Sequence, residues 1–170
     1  MYLKEADIVI KSASIDDAKL LCKWWNDGKV MEHAGFPNGL GTTIDKIIDQ
    51  LKSDSKERLI IEYQDMPIGE MSFNKISVSI AELGIKICNF SEHGKGIGTR
   101  CLRLLISYLF RNLNFTKIVL DTNLNNTRAQ HVYEKIGFKK VKINYDSWID
   151  QLGRLQSSVD YELFKRDFIC

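Results

Sequence analysis

The sequence predicts one α/β domain: a mixed, mostly antiparallel sheet of about seven strands with four helices on its faces. Three observations predict it. At 170 residues, 44% of them hydrophobic, the chain has the size of one compact domain with a substantial core. Strand-like runs in the middle follow one another through short turns, as in an antiparallel meander. Later, long helical patterns separate strand-like runs, the arrangement that produces crossovers between parallel strands.

The elements follow in order. Ile8 to Ile10 is a short apolar run suited to a strand, and Ser14-x-x-Asp17 is a capping-box start for a helix through Trp25, with Ala18, Leu21 and Trp25 on one face. Gly28, Gly35, Pro37, Asn38, Gly39 and Gly41 make residues 26 to 41 a long loop. Thr42 or Thr43 caps a second helix carrying Ile44, Ile47, Ile48 and Leu51, expected beside the first. Arg58 to Tyr63, Pro67 to Phe73 and Val78 to Cys88 form the meander. Residues 97 to 112 give the strongest helix, with a polar stripe of Arg100, Arg103, Ser107 and Arg111 on an otherwise apolar surface. Lys117 to Asp121 reads as a buried strand, and Asn126 to Ile136 as a helix stopped by Gly137. Phe138 to Tyr145 and Val159 to Lys165 alternate as the last two strands.

Composition narrows the function classes. The 24 basic and 22 acidic side chains are interspersed, so charge implies neither nucleic acid nor a membrane surface as partner. Cys22, Cys88, Cys101 and Cys170 are too far apart for a metal-ligand spacing, which predicts free thiols, no metal and a reducing cytoplasm. The start of the chain has acids where a signal peptide needs apolar residues, and no segment approaches the roughly 20 apolar residues of a membrane span.

His93-Gly94-Lys95-Gly96-Ile97-Gly98-Thr99 links a strand to the most apolar helix, so backbone N–H groups and a helix N-terminus converge there. That is an anion site suited to a diphosphate. A Walker loop is excluded, because Asn89 stands where its first glycine belongs and Gly96 follows Lys95. A dinucleotide fingerprint is excluded too, since its third glycine would fall on Thr99 or Cys101.

The loop resembles the R/Q-x-x-G-x-G/A motif of the GCN5-related N-acetyltransferases (GNAT), with His93 in place of Arg or Gln. Further on, Asn126-x-Arg128-Ala129-x-x-x-Tyr133-Glu134-Lys135-x-Gly137-Phe138 resembles the same family's second signature. Trp24-Trp25-Asn26 and Asp160-Tyr161-Glu162-Leu163 look like the subgroup of ribosomal-protein-type and aminoglycoside 6'-type acetyltransferases. The resemblance implies a GNAT-like sheet whose central parallel pair, the strands ending near Cys88 and Asp121, is splayed. It implies acetyl-CoA as co-substrate, held by residues 93 to 99 and by Asn126 and Tyr133. The splayed strand pairs with the pantetheine arm and offers an N–H at Ile87 or Cys88. The acceptor is a small cationic amine, such as an aminoglycoside or polyamine, or a protein N-terminus. A non-catalytic acyl-CoA sensor on the same fold is the rival reading, and monomer and homodimer both stay open.

An alkylamine has a pKa near roughly 10 and must lose a proton before it attacks a thioester, while the leaving thiolate needs one. Tyr133, a phenol protonated at neutral pH, is the expected donor; its alternative is a core tyrosine. For the base the candidates are Asp121, Glu82 and Glu70. Asp121 stands at a strand's C-terminal end and its alternative is a turn aspartate. Glu82 shares a strand face with Lys86 and its alternative is an ion pair. Asn126 is either a cofactor contact or an N-cap. His33 and His131 are read as non-catalytic, and Cys88 as a buried small hydrophobe rather than a nucleophile. Adjacent tryptophans point roughly 100 degrees apart on a helix, so Trp24 is expected to face out and line an acceptor cleft with Phe36, near Glu70 and Asp121.

Overall fold

The computed structural model describes residues 1–169, which leaves Cys170 outside the described residues. A short first strand precedes the expected one: β1 (Tyr2–Glu5) pairs antiparallel with β2 (Ile8–Ser12). Ser14 then closes the predicted capping box, accepting from Asp16 N at 3.2 Å while Asp17 accepts from Ser14 N at 2.8 Å. This starts a 3₁₀ turn that runs into α1 (Ala18–Trp25).

The expected long loop is partly ordered as α2 (Gly28–Met31) and a further 3₁₀ turn. The Asn26 side chain closes its ends like a rung of a sheet, donating to Thr42 O at 3.0 Å and accepting from Thr42 N at 2.8 Å. Thr43 caps α3 (Ile44–Ser53), which packs beside α1 as expected. The meander is β3 (Glu57–Tyr63), β4 (Met66–Lys75) and β5 (Ile80–Ile87). After α4 (Ile97–Arg111) come β6 (Lys117–Asn123), α5 (Thr127–Ile136), β7 (Lys139–Ile149) and β8 (Leu155–Phe164).

Among the described residues the sheet thus has eight strands rather than seven, in the order β1-β2-β3-β4-β5-β6-β8-β7, and there are five helices rather than four. The extra strand is mostly exposed and carries only a short, weakly apolar pattern; the extra helix is one turn. Among the described residues only β5 and β6 run parallel. One face of the sheet buries Leu59, Ile61, Met71, Leu83, Ile118 and Leu120 under α4 and α5. The other face buries Ile60 and Cys88 under α1 to α3.

This second layer overturns the expectation for the tryptophans. Trp24 and Trp25 are both buried, at 7% and 4% exposure, because α1 is enclosed by the sheet on one side and by its neighbouring helices on others. A helix covered on several sides buries residues 100 degrees apart. Phe36 packs partly buried against the same cluster.

The parallel pair is splayed. Its register covers only Ile80–Lys117, Ala81–Ile118 and Glu82–Val119, while β5 runs on to Ile87 and β6 to Asn123. At its far end β5 is pulled toward β4, where Cys88 N and Asn89 N both donate to Ile68 O, at 2.8 and 2.9 Å. Gly69 permits this approach: a Cβ there would sit 2.3 Å from Lys86 O. Backbone cannot yield as a side chain can, so Gly69→Ala is expected to cost about 1–3 kcal/mol of stability, read as a lower denaturant midpoint with an unchanged slope.

Candidate active site

Strand alternation decides which backbone groups face the gap. Successive N–H groups of a strand point to opposite edges. Cys88 N donates to β4, so the Cys88 amide is spent within the sheet and is not free for a ligand, against the expectation for it. The N–H and C=O of Ile85 and Ile87 point the other way, into the gap. Ile87 O is met there by His93 Nε2 at 2.7 Å. The departure from Arg or Gln at position 93 therefore anchors the loop to the strand.

The loop delivers α4 with its N-terminus toward the same gap. Gly96 is the N-cap with φ of 76°, a left-handed conformation that disfavours any side chain, and no side chain caps the helix. The first-turn N–H groups are left without intrahelical acceptors. Gly94, Gly96, Ile97, Gly98 and Thr99 border a cleft of about 1080 Å³, whereas Lys95 turns away and pairs with Glu92 at 3.0 Å.

Tyr133 borders the cleft from α5 and is nearly buried, packed against Phe138 and Tyr161 at ring-centroid distances of 5.9 and 5.7 Å. Its hydroxyl makes no hydrogen bond among the described residues. Burial, and then the charge of Asp121, push its pKa above the usual tyrosine range, so it holds its proton. Asn126 borders the cleft and also caps α5, accepting from Ala129 N at 3.2 Å.

Asp121 lies on the cleft wall at the end of β6, open through the mouth. The surrounding protein raises its pKa by desolvation, the carboxylates of Glu82 and Asp160 raise it further, and Lys56 opposes them. Glu82 does not border the cleft; it forms the last of the three register pairs before the splay, with Val119, and reaches Asp121 only through its charge. Lys86, its expected partner, pairs with Glu70 instead.

Glu70 borders the cleft but is spoken for. At 3% exposure it accepts from Trp25 Nε1 at 2.9 Å, Arg58 Nη1 at 3.1 Å and Lys86 Nζ at 3.3 Å. Arg58 also stacks over Trp25 at 4.5 Å. Cys88 is buried, and burial followed by the charge of Glu70 pushes its thiol well above its usual range, which fits an inert thiol. Trp24 and Phe36 do not border the cleft; Trp148 of β7 does, along with His33 and His131. Nothing local in the sequence marks Trp148, because a bulge in its strand aims it. Among the described residues no cluster of His, Cys, Asp or Glu forms a metal site, and no helix is long and apolar enough to cross a membrane.

Comparison with known proteins bears on the family and the fold. The chain is 24% identical over 170 residues to the uncharacterized N-acetyltransferase p20 of Bacillus licheniformis, covering 95% of this chain and 94% of that protein. It is 26% identical over 149 residues to an aminoglycoside N(6')-acetyltransferase type 1 of Klebsiella pneumoniae, covering 78% and 74% of the two chains. In fold it is similar to the crystal structure of spermidine N-acetyltransferase from Vibrio cholerae in complex with CoA and spermine, with a TM-score of 0.84, 20% identity and coverage of 96% and 98%. Residues 7–139, most of the chain, match the acetyltransferase (GNAT) domain family, and the protein belongs to that family.

Proposed function

We propose that the protein is an N-acetyltransferase that passes the acetyl group of acetyl-CoA directly to a primary amine, either of a small cationic molecule or of a polypeptide N-terminus. The observation that carries this is the convergence, on one cleft, of the open edge of β5, the uncapped start of α4, a protonated phenol and an ionisable carboxylate. The residues fit the co-substrate. We assign the amides from Gly96 to Thr99 to the diphosphate and the Ile85 N–H and C=O to the pantetheine arm. When bound, acetyl-CoA supplies an acyl group already activated as a thioester.

The chain's own residues supply the rest. Asp121 accepts the proton that the amine must lose, directly or through a water, and its raised pKa brings it closer to that task. Tyr133 holds a proton for the departing thiolate. The Ile87 N–H donates to the oxygen on which charge develops, while His93 holds the next peptide of the strand through Ile87 O. The buried Cys88 takes no part.

CoA is expected to raise the thermal midpoint in a concentration-dependent way, because a ligand that binds only the native state stabilises it, while ATP and NAD leave the midpoint unchanged. Acetyl-CoA with a panel of amines should release free CoA thiol. Absence of any midpoint shift at saturating CoA would refute the reading. A shift with no thiol release from any amine would favour a non-catalytic sensor.

A further inference from the structure

The cleft is bordered through Trp148 by a hairpin that the sequence does not mark. In β7 the pair Asn144–Ser158 is followed by Trp148–Gln156, so residues 145 to 147 face Ser157 alone. Asp146, at the centre of this bulge, has φ of 44°, unusual for any residue but glycine, and its N–H is held by Ser157 Oγ at 2.9 Å. Bulges of this kind turn a strand and re-aim its side chains. Here the indole of Trp148 is turned into the cleft and lies against Gly35, where a Cβ would stand 2.5 Å from a ring carbon.

The hairpin is then fixed at its tip. The buried Asp150 carboxylate gathers Leu152 N, Arg154 N, Arg154 Nε and Gln156 Nε2, at 2.9, 3.0, 2.8 and 3.1 Å. Gln151 ties this turn to the wall that follows α2. Its N–H donates to Gly35 O at 2.8 Å, its Nε2 to Gly39 O at 3.0 Å, and its Oε1 accepts from Asn38 N at 2.9 Å. Two structural elements far apart in sequence are thereby joined behind Trp148, whose ring lies against Gly35. Trp148 is half-buried there, with Asp121 and Glu32 on the same cleft.

We infer that Trp148 is the residue that recognises the acceptor, and that it selects compact cationic amines over polypeptide. The indole face takes the carbon skeleton and positive charge of the amine, and the close contact of the indole with Gly35, held by the Gln151 bridge, bars a polypeptide from running out between them. Gln151 is a positioning residue and acts through Trp148. This inference rests on the transferase reading above.

Intrinsic fluorescence tests it without turnover. Of the three tryptophans, Trp24 and Trp25 are buried in the core, so emission that changes with acceptor reports on Trp148. With the full chain and saturating CoA, spermidine or an aminoglycoside is expected to give a saturable emission change that Trp148→Phe abolishes. In turnover, Trp148→Ala should raise the amine KM at least about tenfold, with kcat changed less than about threefold and the CoA midpoint shift intact. Gln151→Ala should raise KM in the same sense and admit a short peptide with a free N-terminus. Trp148→Phe keeps an aromatic ring at the position and fills most of the space, so it remains informative if Trp148→Ala fails to fold. An emission change that survives Trp148→Phe, an unchanged KM, or a wild-type preference for the peptide would overturn the inference while leaving the transferase reading intact. Loss of the CoA shift in the wild type would remove both.

Discussion

Asp121→Asn is expected to lower kcat by about 10²–10⁴-fold, the usual contribution of a positioned proton acceptor, while the CoA-induced midpoint shift stays as in the wild type. The same variant should not lose stability. A carboxylate whose folded pKa is raised is penalised in its ionised form, so its stabilising contribution is complete below the unfolded pKa and is lost as pH rises through the folded value. At neutral pH wild-type Asp121 therefore carries a cost that Asn does not. The midpoint of Asp121→Asn should equal or exceed the wild type at neutral pH, and the difference should vanish in acid. Activity follows the opposite limb: kcat/KM should fall as pH drops through the raised pKa, because the protonated acid accepts nothing. Glu82→Gln removes the second contributor to that rise and should move the acid limb to lower pH with little change in kcat at the plateau. An Asp121→Asn enzyme with near wild-type turnover would show that the amine is deprotonated by other means, and a matching loss of CoA stabilisation would assign Asp121 to the fold.

The readable part of this molecule is the part in which function is written into backbone conformation. Gly96 must adopt a positive φ at the start of α4, and Asn126 and Gly137 bound α5 through local chemistry, so short-range sequence carried the loop, both helices and Tyr133. The positions of side chains set by several elements at once were not legible. Trp24 and Trp25 obey the helical angle between them, yet both are buried because α1 is enclosed on several sides. Cys88 lost its expected place because one register step sends its N–H to β4 rather than to the gap, a distinction of alternation that no spacing rule exposes. Trp148 replaces Trp24 and Phe36 at the cleft through a bulge whose central residue, Asp146, is not a glycine and so leaves no signature.

Glu70 shows what such misplacement implies energetically. Its carboxylate was expected at the acceptor, but it is the hub of Trp25 Nε1, Arg58 and Lys86. Glu70→Ala strands two cations and an indole N–H together beside the second core layer. Breaking a buried pair costs about 3–5 kcal/mol. Lys86 is about a third exposed and turns to solvent, and Arg58 keeps Asp54 at 3.8 Å, so the lower end of that range, about 3 kcal/mol, is expected. For a domain of this size that lowers the thermal midpoint by roughly 6–12 °C. Glu70→Gln preserves hydrogen-bond acceptance without the charge and should fall between. The experiment separates the two roles: a hub residue lowers the midpoint of the free protein and leaves the amine KM of the folded fraction nearly unchanged, whereas an acceptor-binding carboxylate would raise KM and spare the midpoint. Because Arg58 is stacked on Trp25, loss of the hub also frees the guanidinium that holds this wall of the cleft, so a double variant with Arg58→Met should recover part of the lost stability. A double variant no more stable than Glu70→Ala alone would show that the cost lies in the unpaired indole and Lys86 rather than in the stranded guanidinium.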